Sequence, residues 1–244
     1  MILHGDSLLK MGQLDDQSVD LILSDPPYGT TTNHWDVVID WSKWWREASR
    51  VTKPNAAIIL FSSGMHTADV MQSNAKQWRY NLVWFKNAAT GHLNAKKMPM
   101  RAHEDICVFY KKPPIYHPQK STGHQPQKNN HMGHAGTGYG KTSHVNECST
   151  FGSTERYPHS VLQFSVVPPS KKEHHSQKPI ELLEYLIKTY SNKGDTVLDS
   201  FAGSGSTAQA CMNLQRSFIL IEKDKKIYQK LKKKFKGCSS GEDE

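Results

Sequence analysis

Short apolar runs separated by turn signals dominate the first hundred residues. Val19-Asp20-Leu21-Ile22-Leu23, Ala56 to Phe61 and Leu82-Val83-Trp84-Phe85 read as strands, and apolar positions from Trp41 to Val51 recur at helical spacing. Order of the same kind returns after Pro179. A helix is predicted over Ile180 to Tyr190, then the turn Asn192-Lys193-Gly194-Asp195 and a strand over Thr196 to Leu198. A glycine-rich turn opens a helix reaching about Leu214, followed by a strand over Phe218 to Ile221 and a basic helix from Lys225 to Phe235. Strands alternating with helices predict an α/β fold with a mainly parallel sheet covered on both faces. Ligands of such sheets bind beyond the carboxyl ends of the strands, where the strand order reverses.

The stretch 111–175 has a different texture. It holds eight of the thirteen histidines, the pairs Pro113-Pro114 and Pro168-Pro169, and the string Gly133-His134-Ala135-Gly136-Thr137-Gly138-Tyr139-Gly140. It reads as a loop-rich insertion. The chain thus divides into residues 1–110, the insert 111–175, residues 176–236 and an acidic tail 237–244.

Composition narrows the partners. The 244 residues carry 31 Lys and Arg against 23 Asp and Glu, a net charge of +8 that favours a polyanion such as nucleic acid, although solubility alone accounts for such an excess. Cys107, Cys148, Cys211 and Cys238 are widely spaced without a C-x-x-C pair, so reduced thiols are expected rather than a disulfide framework. No run approaches the length of a membrane span and the N-terminus lacks an apolar signal core, so a cytoplasmic protein with no membrane partner is expected.

Two motifs fall at predicted strand ends. Asp199-Ser200-Phe201-Ala202-Gly203-Ser204-Gly205-Ser206-Thr207 follows a strand and opens a helix, where glycines admit a ligand to the backbone and the helix N-terminus presents unpaired N–H groups. It fits neither the G-x-G-x-x-G nor the Walker pattern. Glu222 ends the next strand, where a carboxylate accepts hydrogen bonds from ribose hydroxyls; a tight turn and a surface acid are the plainer alternative. The second motif, Asp25-Pro26-Pro27-Tyr28, joins a carboxylate, an outward carbonyl and an aromatic plate. An exocyclic amino group on a planar base suits it, with N–H bonds to Asp25 and the Pro26 carbonyl and the ring stacked on Tyr28. An ordinary proline turn is the alternative.

Taken together, DPPY, a central insert, His175-Ser176-Gln177-Lys178-Pro179 and FAGSGST resemble the amino-methyltransferases of DNA that use S-adenosylmethionine, in the permuted order with the catalytic motif first. The resemblance spans roughly residues 1–110 and 174–235. It implies a Rossmann-like methyltransferase fold with an inserted target-recognition segment. It also implies that Phe201, Gly203 and Gly205 cradle the methionine part of the cofactor, that Glu222 binds its ribose and that Lys178 packs over its methionyl end. Asp6, in His4-Gly5-Asp6, matches the acid that contacts the cofactor adenine and equally suits a helix cap. The implied catalytic residues are Asp25, Pro26 and Tyr28, acting on a base flipped out of the duplex. Hydrogen bonds to Asp25 and Pro26 O help a delocalised amino nitrogen rehybridise, and the methyl passes directly from sulfur to nitrogen through proximity and alignment, without a covalent enzyme intermediate.

Asp at the first motif position favours N6 of adenine, whereas N4-cytosine enzymes more often carry Ser there. An N4-cytosine enzyme, an RNA substrate and a DNA-binding module without turnover are the competing readings. A restriction endonuclease partner and a homodimer are further expectations. In the insert, His131, His134, His144 and Cys148 imitate zinc spacing, but no metal is expected. Its Lys, Asn, Gln and His side chains suit base readout instead. Among the tryptophans Trp35, Trp41, Trp44 and Trp45, the last three have helical spacing and suit core packing. Lys223 to Lys236, with eight lysines against one acid, reads as a solvated helix face or a phosphate contact.

Overall fold

The structure is a computed structural model that describes residues 1–29, 38–128, 152–168, 170 and 177–237. Two units divide the chain: residues 1–117 with 160–244, and residues 118–159.

In the larger unit, eight strands make one sheet among the described residues: β1 (Ile2–His4), β2 (Val19–Ser24), β3 (Thr52–Ser62), β4 (Trp78–Thr90), β5 (Arg101–Phe109), β6 (Val161–Phe164), β7 (Thr196–Asp199) and β8 (Ser217–Glu222). Their order is β1-β8-β7-β2-β3-β5-β4-β6. All neighbours run parallel except β5, which is antiparallel to both β3 and β4. The helices are α1 (Ser7–Met11), α2 (Trp41–Val51), α3 (Met65–Ser73), α4 (Ile180–Tyr190), α5 (Ser206–Asn213) and α6 (Lys225–Lys234).

Alternation along the strands explains the two-sided packing. Leu21, Leu23, Ala57, Ile59 and Phe61 join one core cluster with Leu182, Leu186, Ala208 and Leu231 of α4, α5 and α6. Their neighbours Ile22, Ile58 and Leu60 join the opposite cluster with Met11, Trp44, Ala48 and Val70 of α1, α2 and α3. Successive side chains point to opposite faces, so a strand buried on both sides reads as a continuous apolar run. Trp44 and Trp45 are buried core residues, as their spacing predicts, while Trp35 lies outside the described residues. The parallel sheet with helices on both faces is the expected architecture. No described helix is long and apolar enough to cross a membrane.

The smaller unit begins and ends as an antiparallel pair. Ser121 and Arg156 exchange backbone hydrogen bonds at 3.0 and 2.9 Å, His124 N–H donates to Thr154 O, and Gly152 N–H donates to Gln127 O. Residues 121–127 and 152–156 are therefore adjacent. The four residues with zinc-like spacing lie outside the described residues.

Candidate active site

The order in which the chain adds strands reverses in the middle of the sheet. From β2 the chain proceeds to β3 on one side, and from β7 to β8 on the other, while β2 and β7 themselves pair in parallel through Leu21 with Val197 and Ile22 with Leu198. That pairing brings together two motifs 174 residues apart. Ser200 N–H donates to Ser24 Oγ at 2.9 Å, and the two buried hydroxyls share a bond of 3.2 Å.

The glycine turn is folded by its own neighbours. Asp199 accepts Phe201 N–H at 3.1 Å and Thr207 Oγ1–H at 2.6 Å, tying the end of β7 to the first turn of α5. Burial outweighs these bonds and pushes the Asp199 carboxyl up to about 6. Gly203 N–H donates to Glu222 Oε2 at 2.9 Å, and Glu222 Oε1 accepts Asp224 N–H at 2.8 Å. Burial raises Glu222 above its ordinary value despite those donors. The two glycines, both with positive φ, serve different ends. A Cβ at Gly203 would meet nothing nearer than Phe201 O at 4.0 Å, whereas one at Gly205 would lie 2.6 Å from Leu231 Cδ2 and 2.8 Å from Phe235 Cε2. Gly203 thus borders open space, and Gly205 is needed for α5 to pack on α6.

Asp6 follows β1, the strand beside β8, where Gly5 N–H donates to Glu222 O at 3.0 Å. Its carboxylate caps α1 by accepting Leu8 N–H at 3.1 Å and lies 3.4 Å from Lys223 Nζ. Asp6, Glu222, the glycine turn and Asp25 therefore line successive carboxyl ends of β1, β8, β7 and β2.

At the end of β2, Pro26 is buried and Asp25 and Tyr28 are half-buried. Tyr28 OH donates to Asp25 Oδ1 at 3.1 Å. One face of the Tyr28 ring is stacked on His66, with centroids 4.5 Å apart, and His66 Nδ1 shares a 2.8 Å bond with Ser62 Oγ. A base stacking on Tyr28 must therefore use the opposite face.

Lys178 reaches the Asp25-Pro26-Pro27-Tyr28 turn: its ammonium donates to Asp25 Oδ2 at 2.5 Å and stands 3.3 Å from Glu104 Oε2. Glu104 in turn accepts from Lys86. Burial pushes Asp25 above its ordinary range against the pull of Lys178. For Glu104 the two ammoniums outweigh burial and hold it below its ordinary value. Neither Glu104 nor Lys86 is legible in the sequence as a neighbour of the Asp25 turn, because each is one of several polar residues in its strand and nothing in the sequence distinguishes it from them. Of the described cysteines, Cys107 and Cys211 are buried, and burial pushes each thiol up to about 12.

The residues present fit S-adenosylmethionine. Open space above Gly203, the N-terminal end of α5 and the carboxylates of Glu222 and Asp6 suit a ligand with a methionyl end, a ribose and an adenine. Among the described residues no group of His, Cys, Asp or Glu is disposed to hold a metal ion.

Known proteins resemble this chain along almost its whole length. Type II methyltransferase M.HpaI of Haemophilus parainfluenzae is 27% identical, covering 99% of this chain and 76% of that protein. DNA adenine methyltransferase YhdJ of Escherichia coli K12 is 29% identical over 91% of this chain and 77% of its own. The crystal structure of an M1.HpyAVI–SAM complex superposes with a TM-score of 0.65 at 24% identity, covering 97% of this chain and 98% of that one. PvuII DNA methyltransferase, cytosine-N4-specific, gives a TM-score of 0.65 at 15% identity, covering 93% and 83%. Residues 19–233, which include both motifs and the strand pairing that joins them, match the DNA methylase family of N6 and N4 type, and the chain belongs to that family of S-adenosylmethionine-dependent DNA methyltransferases.

Proposed function

We propose that this enzyme methylates N6 of adenine at a specific DNA site. The observation that carries the reading is the Asp25 turn at the end of β2, held directly beside the glycine turn at the end of β7 by Ser24 and Ser200. S-adenosylmethionine, when bound, supplies a methyl group on a positively charged sulfur. The chain supplies position and hydrogen bonds. Asp25 and Pro26 O accept the two N–H bonds of the amino group, which localises its lone pair, and Tyr28 stacks on the base and fixes the ring plane. Asp as the first residue of the motif favours adenine, as does the similarity to an enzyme named a DNA adenine methyltransferase. Similarity to type II methyltransferases supports a restriction endonuclease as the functional partner.

The test is to incubate the protein with S-adenosylmethionine and unmodified DNA, then analyse the nucleosides. N6-methyladenine is the expected product. N4-methylcytosine would overturn the choice of base, methylation of RNA alone the choice of substrate, and cofactor binding without any product the enzymatic reading.

Sequence choice belongs, on this reading, to residues 111–175, a stretch rich in polar side chains of which, among the described residues, β6 joins the sheet and 118–159 form the smaller unit. Residues 121–127 and 152–156 pair, so a short Gly/Ser linker can replace 128–151 without separating them. The shortened protein is expected to bind cofactor normally and to lose site-specific methylation. An unchanged modification map would move the readout elsewhere, to the 91–101 turn between β4 and β5.

A further inference from the structure

Four charged side chains lie in a row beneath the catalytic turn. Asp25 touches Lys178, Lys178 touches Glu104, and Glu104 touches Lys86. They come from four separate places: the end of β2, the segment before α4, β5 and β4. The signs alternate and sum to zero. Lys86 and Lys178 are only 7% and 9% exposed at the side chain, and each ammonium also sits over an aromatic ring, Trp84 at 4.8 Å and Phe61 at 4.9 Å.

Stability does not account for such a row. Buried ion pairs roughly break even against apolar packing, because the desolvation of each charge offsets the attraction. The geometry points instead to one end of the row, where a carboxylate must accept hydrogen bonds from a substrate while largely out of water. Left alone there, Asp25 would take up a proton, and a neutral acid is a poor acceptor. A lone Lys178 would over-correct: an unshared ammonium close to Asp25 would claim its oxygens and compete with the substrate amino group. Glu104 shares that ammonium, and Lys86 neutralises Glu104 in turn.

We infer that Glu104 and Lys86 are positioning residues for Asp25, acting through Lys178, so that the charge balance of the row sets both the ionisation of Asp25 and its freedom to accept the target amino group. The inference rests on the assignment of Asp25 as that acceptor. The other groups facing the row are Tyr28 OH, which donates to Asp25, and the Asp199 carboxylate at the end of β7, which the charge of Asp25 helps to raise; His66 stacks behind Tyr28.

The test is the pH profile of single-turnover methylation. Activity requires Asp25 ionised, so it falls on the acid side as Asp25 takes up a proton. Glu104→Gln removes a negative neighbour and should move that acid limb to lower pH. Lys86→Met leaves Glu104 unneutralised and should move it to higher pH. The charge-neutral double variant Lys86→Met/Glu104→Gln should bring the limb back toward the parent position. Each single variant should lose about 10- to 100-fold in rate, the usual scale for removing a group that orients a site residue, with S-adenosylmethionine affinity unchanged. A defect of folding alone would move both limbs the same way or neither, and would not be relieved by the second substitution.

If a single substitution costs the fold, Glu104→Asp and Lys86→Arg keep each charge and shift its position; they should lower the rate while leaving the acid limb in place. Parent-like rates in those variants, or an acid limb unmoved in the charge-changing ones, would overturn the inference. Asp25→Ala separates the two levels. Turnover in that variant defeats the functional reading itself, whereas an inactive Asp25→Ala beside a parent-like Glu104→Gln defeats only the row.

Discussion

The turn after β7 is folded largely by groups within a few residues of it, Asp199 to Phe201 and Thr207, with further bonds from Gly203 to Glu222 on the next strand and from Ser200 to Ser24 at the end of β2. The turn after β2 is held from a distance: the carboxylate of Asp25 depends on Lys178, which is 153 positions away in the chain. Both turns end adjacent parallel strands, yet one is a local backbone device and the other a long-range electrostatic one. A site for a backbone-cradled ligand needs an absence of side chains, which a short glycine motif supplies. A buried acceptor needs counter-charges, which must come from other elements because a tight turn has no room for them.

Removing the acceptor should separate the two turns most sharply. Asp25→Ala is expected to lower the methylation rate by about 10²- to 10³-fold or more, the scale of losing one transition-state hydrogen bond, while calorimetry finds cofactor affinity unchanged. Loss of cofactor binding in that variant would mean that the two turns are not independent.

Within the glycine turn, Gly205→Ala and Gly203→Ala should fail differently. Each puts a Cβ at positive φ, at a cost of about 1–2 kcal/mol. Gly205→Ala also drives its methyl into Leu231 and Phe235, adding about 1–3 kcal/mol of overpacking, so denaturation should show it as the less stable of the two. Gly203→Ala should keep more stability and lose cofactor affinity. Equal stability of the two variants would contradict the packing role of Gly205.

Asp199→Asn tests how far the local device depends on pH. The folded Asp199 carboxyl titrates at about 6 against 3.8 unfolded, so the native state holds its proton more tightly. The contribution is fully present below about pH 4 and is lost as pH rises through about 6. Measured as parent minus variant, stability should therefore fall by about 3 kcal/mol in all from well below pH 3.8 to well above about 6, the equivalent of that shift. A flat difference across that window would place the Asp199 titration elsewhere.

The smallest effect is expected at the phenol. Tyr28→Phe removes one hydrogen bond to Asp25, worth about 1 kcal/mol, and should cost roughly fivefold in rate, whereas Tyr28→Ala removes the stacking wall and should cost far more. If Phe and Ala were equally damaging, the hydroxyl rather than the ring would matter, and Tyr28 would belong to the charge row.

Much of this molecule is legible in its sequence, for a local reason. β2, β3, β7 and β8 announce themselves because the part of a strand covered on both faces is a near-continuous apolar run, and α2, α4 and α6 because one stripe of each is buried. β4 reads only as Leu82 to Phe85, since the exposed ends of its span Trp78–Thr90 carry polar residues. β1 has three residues and β6 four, too few for any periodicity to register. Both motifs are visible for the same reason as the strands: their chemistry is written in consecutive residues.

Tertiary structure alone decided the order of the strands, and with it that β2 and β7 are neighbours and that Asp25 meets the glycine turn. It decided that Lys178 turns its ammonium to Asp25, and that Gly205 is required by α6. It also recruited Lys86, Glu104 and His66, which stand 58 or more, 76 or more and 38 or more positions beyond the DPPY motif in their respective strands and helix. Hydrophobic periodicity carries no information about which charge faces which across a sheet. Those partners are chosen by strand register, and register is a property of the folded whole.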